Sequence, residues 1–280
     1  MLRSLYSGIS GLRVHQTMMD VTGNNIANVN TTGFKGSQTT FQDTLSQMMS
    51  AAGAPQAGNP GAGGSNPAQV GLGVRLAGIQ TNFGQGAAQT TGRTLDLMVQ
   101  GDGFFTVQNG NEQLYTRAGS FNFDALGNMT TVDGNFVLGW NLAANETIDP
   151  ANPPALEKIQ LDPAVESYTI SPDGQLVGVY ANGDKRPFAQ LAMANFVNPG
   201  GLEKAGGSTY RTTVNSGDAE VGLAGSGGLG KLQSGALEMS NVDLGQEFTN
   251  LIISQRGFQA NTKVISTSDE LLNDLVNLKR

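Results

Sequence analysis

The chain has 280 residues, 38 % apolar and 14 % charged, with a formal net charge of −7 and no cysteine. Its 16 lysines and arginines are scattered, and the longest basic runs are the pairs Lys185-Arg186 and Lys279-Arg280, which argues against nucleic acid or an anionic membrane surface as partner. Disulfides and Cys-based zinc sites are excluded, and no stretch approaches the roughly 20 apolar residues of a membrane span, so no membrane insertion is expected.

The first segment has helical periodicity. Leu5, Leu12, Met19 and Ile26 share one heptad position, and Leu2, Ile9, Gln16 and Gly23 share the interleaved one. This predicts a helix with an a/d seam, weakened in its second half by Gln16 and Gly23. Arg13, His15 and Asp20 interrupt any signal-peptide core, so the chain is expected to carry no cleaved secretory signal. His15 is the only histidine and has no carboxylate cluster beside it, which makes it a solvent or interface residue, not a catalytic base.

The stretch GNNIANVNTTGFKG, residues 23–36, crowds amides and glycines at the end of that helix. Asn24, Asn25 and Asn28 are placed to bond orphan helix carbonyls and neighbouring chains. Gly33 suits the left-handed conformation that stops a helix. Phe34 is expected to anchor the departing arm in an apolar socket while Lys35 stays in water. Together these residues read as a joint between helix and arm, with the N-terminal helix assigned to residues 1–33.

Residues 34–70 read as an extended arm, because SAAGAPQAGNPGAGGSNPA at 50–68 is small, uncharged and rich in Gly and Pro. Within it, Phe41, Leu45 and Met48 have the spacing of one amphipathic helical turn. From 71 to 235 the period changes to two, in runs such as GFFTVQN, NFVLGW and QLVGVYANG. The dipeptides Asn109-Gly110, Asp133-Gly134, Asp173-Gly174 and Asn182-Gly183 predict tight turns between strands, hence an all-β domain. A second Gly-rich stretch, residues 222–231, returns the chain to its last segment.

Residues 236–280 repeat the heptad pattern: Leu244, Leu251, Phe258, Ile265 and Leu272 are spaced at strict sevens. Phe248 lies on the partner position, Val264, Leu271, Leu275 and Leu278 widen the stripe, and Gln255, Thr262 and Asp269 are its polar companions. Ser240 and Asn241 are candidate N-caps ahead of Asp243 and Glu247. A helix over 242–278 is about 55 Å long at 1.5 Å per residue. The expected fold class is therefore α+β: an all-β domain inserted between long terminal helices that pair as a coiled coil on assembly. The assembly interface is expected at Leu5, Leu12, Met19, Ile26, Leu244, Leu251, Phe258, Ile265 and Leu272. An ordinary helical hairpin that packs and stops is the competing reading, but the polar half of both seams leaves a two-helix pair little apolar interface.

No constellation for catalysis, cofactor or metal emerges. Asp162, Asp173 and Asp184 stand apart among turn signals, and none opens a calcium-loop pattern. GQGAAQTTGR at 84–93 lacks the Gly-Lys-Ser/Thr of a phosphate loop. The expectation is a non-enzyme with no cofactor.

SLYSGISGLRVHQTMMDVTGNNIANVNTTGFK resembles the N-terminal signature of bacterial flagellar rod and hook proteins, and VGLGVRLAGI, TGRTLDLMVQGDGFF and YTRAGSF resemble the segments that follow in that family. QLAMANFVNPGGLEKAG and SQRGFQANTKVISTSDELLNDLVNLKR are similar to the hook members in particular. The resemblance implies a subunit of a helical tube, exported through the flagellar secretion apparatus, whose helices pack against neighbouring subunits while the β domain sits outside. For a hook it implies a universal joint carrying torque from rod to filament, extracellular, with the rod, hook cap and hook–filament junction proteins as partners besides its own copies. The paralogous reading is the distal rod, a rigid drive shaft. Two features depart from the hook pattern: there is room for one outer β domain only, and the Gly-rich stretch at 53–67 is additional. A secreted β-rich carbohydrate-binding or hydrolytic protein is the reading from a different class.

Overall fold

The computed structural model describes residues 2–55, 63–142 and 154–277, so part of the Gly-rich stretch and Leu278 lie outside the described residues. The chain forms two compact units. The first joins Met1–Ala27, Ser37–Thr81 and Asp243–Arg280; the second joins Asn28–Gly36 and Asn82–Val242.

In the first unit, helix α1 (Leu2–Ala27) and helix α2 (Leu244–Asn277) lie against each other. Ser4 Oγ meets Ser268 Oγ at 3.5 Å, and Asn25 Nδ2 donates to Glu247 Oε1 at 3.0 Å near the other end. Between them Gly8 faces Ile265, Gly11 faces Asn261, and Gly257 faces His15. Each advance along α1 is matched by an equal retreat along α2, which defines an antiparallel pair in constant register. Asp243 caps α2: its Oδ1 accepts the Gly245 amide at 2.8 Å and the Gln246 amide at 3.3 Å. The caps expected at Ser240 and Asn241 are thus displaced by an acidic side chain that also suits the helix dipole.

Residues 37–81 are strands. β1 (Ser37–Asp43) pairs antiparallel with β4 (Val74–Thr81), and β2 (Ser46–Ser50) pairs antiparallel with β3 (Ala68–Gly71). The helical turn expected around Phe41, Leu45 and Met48 does not form. Spacing by three and four signals a helix only where no ladder competes, and here β4 and β3 supply the partners. VGLGVRLAGI, expected at the head of the β domain, belongs with the helices instead.

The second unit is antiparallel. Its main sheet runs in the order Val165–Ile170, Gln175–Tyr180, Lys185–Leu191, Phe136–Asn141, Phe104–Asn109, Glu112–Thr116, Thr209–Arg211 and Glu203–Gly206. All four turn dipeptides do the work their sequence predicts, with Gly110, Gly134, Gly174 and Gly183 at φ of +60°, +83°, +82° and +80° between successive strands. The strand Phe104–Asn109 is buried on both faces. Phe105 and Val107 join Leu97, Phe121, Leu176 and Leu191 in the larger core, whereas Phe104 joins Tyr115, Phe196 and Tyr210 in a smaller aromatic one. Two short ladders, Lys231–Ser234 with Leu97–Gln100 and Ala236–Glu238 with Ala88–Thr90, hold the last segment of the unit.

Candidate assembly interface

The helix pair is closed through small and polar residues. Gly8 and Gly11 let α2 approach, and a Cβ on Gly11 would lie 2.7 Å from Asn261 Oδ1. The polar side chains buried here are Thr22, Asn25, Ser254 and Ser268, and the one buried apolar side chain among the described residues of this unit is Val14. The expected seam residues flank this line. Leu5, Leu12, Met19, Ile26, Leu251, Phe258, Ile265 and Leu272 are half-buried, and Leu244 is exposed.

What stays outside is therefore strongly apolar. On α2, Phe248, Ile252, Ile253, Val264 and Leu271 are exposed; on the strands, Phe41, Met48, Met49 and Ile79 are exposed, as is Leu45 between β1 and β2. Among the large apolar side chains exposed in the described residues, only Leu126, Val132, Val197 and Val214 belong to the second unit. The second unit buries its own core. The first has apolar faces and almost no core to put them in, and contiguous exposed patches of this kind mark interaction surfaces.

The expected joint residues divide between the units. In the first, Asn25 is 2 % exposed and bonds Ser37 twice, through its carbonyl and its amide, as well as Glu247. The sequence reading has it bond helix carbonyls; its bonds go to Ser37 and Glu247 instead. Asn24 is exposed. In the second unit, Asn28 accepts from Thr31, through its backbone at 3.1 Å and its side chain at 3.0 Å. Gly33 takes φ +67°, but α1 has already ended at Ala27, so this glycine is no helix stop. It allows close approach instead: a Cβ there would sit 2.5 Å from the Ala118 nitrogen, and its amide donates to Glu238 O at 2.8 Å. Phe34 is half-buried beneath the Lys204 ammonium, 5.0 Å from the ring centroid.

Lys35 corrects the sequence reading most sharply. It is fully buried, with Nζ 2.6 Å from Glu238 Oε1 and donating to Gly84 O at 2.8 Å. Glu238 Oε1 also accepts the Gly86 amide at 2.9 Å, and Arg117 Nη1 stands 3.6 Å from Oε2. Burial lowers the Lys35 pKa, opposed by its bond to Glu238; burial likewise lowers that of Arg117 and raises that of Tyr210. Nearby, Asn241 accepts the Gly36 amide at 2.9 Å and donates to Asn82 O at 2.7 Å and Gly84 O at 3.0 Å. Asn82 in turn donates to Gly36 O at 2.8 Å. Every segment by which the chain passes from the second unit into the strands and α2 of the first is stitched into this one network. Sequence reading missed Arg117 and Glu238 and gave Lys35 and Asn241 other roles, as a wetted cation and a helix cap. Its available signal was a charge set inside an apolar run, as in Ala236-Leu237-Glu238-Met239 and Leu114-Tyr115-Thr116-Arg117.

Nothing in this arrangement resembles a reaction centre, and no cluster of potential metal ligands occurs among the described residues. The sequence matches three family descriptions: "Flagella basal body rod protein" over residues 5–35, "Flagellar hook protein FlgE/F/G D1 domain" over 98–178, and "Flagellar basal body rod FlgEFG protein C-terminal" over 233–278. It is 49 % identical over 281 residues to the flagellar basal-body rod protein FlgG of Bacillus subtilis, covering 100 % of both chains. It is 36 % identical over 283 residues to FlgG of Borreliella burgdorferi and 31 % identical over 444 residues to the flagellar hook protein FlgE of the same organism, again covering 100 % of each chain. With the apolar helices and strands of the first unit left uncovered, and with these relatives along its whole length, the chain belongs to the flagellar rod and hook protein family.

Proposed function

We propose that this chain is a self-assembling structural subunit of the flagellar rod, polymerising through its first unit into a straight helical tube that carries torque. The observation that carries the reading is the apolar exterior of the first unit: Phe248 and Ile252 are 50 % and 55 % exposed, one turn apart on α2. Burying a side chain of this kind is worth about 1.5–3 kcal/mol, and a polymer repeats the gain in every subunit. The occupant of these faces is a second copy of the chain. Further partners are the adjoining flagellar proteins and the export apparatus, and the location is the flagellum.

The rod reading is supported by length as well as identity. The rod relative from B. subtilis aligns over 281 positions, whereas the hook relative from B. burgdorferi needs 444 positions to accommodate a chain of 280. The hook remains the second reading, supported by Gly257-Phe258-Gln259-Ala260-Asn261 and Asn195-Phe196-Val197-Asn198-Pro199.

Purified full-length chain should form tubes visible by electron microscopy, straight for a rod and curved for a hook. Phe248→Asp and Ile252→Asp should leave the second unit folded, read by the fluorescence of the single, buried Trp140, and abolish tubes. Normal tubes from both variants would defeat the proposal.

A further inference from the structure

The methionines are distributed unevenly. Met98, Met129 and Met193 are sealed in the second unit at 3 %, 0 % and 0 % exposure, whereas Met48 and Met49 on β2 are 58 % and 69 % exposed. Consecutive strand residues point to opposite faces. Every residue of β2 and of β3 is exposed, so the β2–β3 ribbon is bare on both sides. The ladder accentuates this: Met48 pairs with Gln69 and Ser50 with Ala68, so Met49 is the unpaired residue of a bulge. An isolated two-stranded ribbon is marginal in water, and this one, with Leu45 and Val70 also exposed, is held by no apolar layer of its own.

We propose that Met48 and Met49 form an oxidation site that switches the assembly competence of the free subunit, with a peroxide as the oxidant. The inference rests on the self-assembly proposed above. A thioether lone pair attacks one peroxide oxygen and the O–O bond breaks. Sulfur gains that oxygen as a sulfoxide and loses two electrons to the peroxide, whose remaining oxygen leaves as water after taking up the protons. The product is polar and chiral where an apolar, flexible side chain stood. A neighbouring copy that covers the ribbon must then bury a strong acceptor without a partner, a cost that opposes docking. Thiol-dependent sulfoxide reduction, in which two thiols become a disulfide and the oxygen leaves as water, reverses it. In the assembled tube the same sulfurs are covered and the switch is closed to oxidant.

The test treats full-length native monomer and preformed tubes with graded hydrogen peroxide and follows each methionine by peptide mass spectrometry. In the monomer, Met48 and Met49 should react about tenfold faster than Met98, Met129 and Met193, since exposure governs the reaction, and in tubes this advantage should disappear. Oxidised monomer should fail to elongate tubes, a methionine sulfoxide reductase with dithiothreitol should restore elongation, and M48L/M49L chain should polymerise with or without peroxide. Equal reactivity of exposed and buried methionines, or unimpaired elongation by monomer oxidised at both positions, would overturn the switch while leaving self-assembly intact. Untreated chain that never polymerises would overturn both.

Discussion

Asn25 holds both backbone groups of Ser37: its Nδ2 donates to the Ser37 carbonyl at 2.8 Å while its Oδ1 accepts the Ser37 amide at 3.0 Å. A primary amide is the one side-chain group that can complete a strand-like pair in this way, and the same Nδ2 reaches Glu247 on α2 at 3.0 Å. One buried residue thus ties α1, the start of β1 and the first turns of α2.

Asn25→Asp should be worse than Asn25→Ala. The alanine leaves buried groups unpaired, at about 1–3 kcal/mol; the aspartate in addition sets an oxygen against the Ser37 carbonyl and the Glu247 carboxylate. Hydrogen exchange at the Ser37 amide and thermal unfolding of each variant provide the check. Equal protection in wild type and Asn25→Ala would remove the clasp from the account.

The buried ion pair predicts an asymmetry. Glu238→Ala strands two cations, Lys35 and Arg117, whereas Lys35→Met leaves Glu238 with Arg117 and the Gly86 amide. Removing one partner of a buried pair costs about 3–5 kcal/mol, and the glutamate variant should show the larger loss of denaturant midpoint, followed by Trp140 fluorescence. Equal losses would show that Arg117 does not share the carboxylate.

Alkaline stability should be set by buried phenols. Burial raises the pKa of Tyr210 and of Tyr115 above the ordinary 10.0. Above that value the unfolded chain sheds protons that the folded chain keeps. Stability is then fully present below pH 10 and falls as pH rises from there towards the folded values. Lys35 acts in the opposite sense, since its lowered pKa means that the folded chain binds fewer protons in the window below 10.5, where stability rises with pH. Tyr210→Phe should flatten the fall in melting temperature between about pH 10 and 11, where phenols titrate. An unchanged slope would contradict it.

Gly257 is the floor of the His15 site. A Cβ at this position would run into the imidazole ring, which also stands edge-on to Phe41 with centroids 6.2 Å apart. Gly257→Val should part the helix pair and lower its melting temperature by several degrees, since 1 kcal/mol moves the midpoint of a unit of this size by about 2–8 °C. His15→Ala should recover much of the loss in the double variant. Additive losses would mean that the two residues do not share the contact.

Local chemistry determined much of this protein from sequence alone. The heptads mark two helices, α1 and α2, because an apolar residue every third and fourth position specifies a face whatever lies opposite. The Asn-Gly and Asp-Gly turns mark the hairpins, because their backbone conformation is intrinsic to a few residues. Tertiary structure decided what meets those faces. The helices close on Gly8, Gly11, Ser254 and Ser268 and leave Phe248 and Ile252 outside, since closeness favours small side chains and periodicity cannot rank one neighbour above another. Lys35 is dry because Glu238, 203 residues away, waits for it, and the strands from Ser37 to Thr81 form because each finds its partner across a long loop. Burial of a charge and pairing of a strand depend on contacts that no short window of sequence contains.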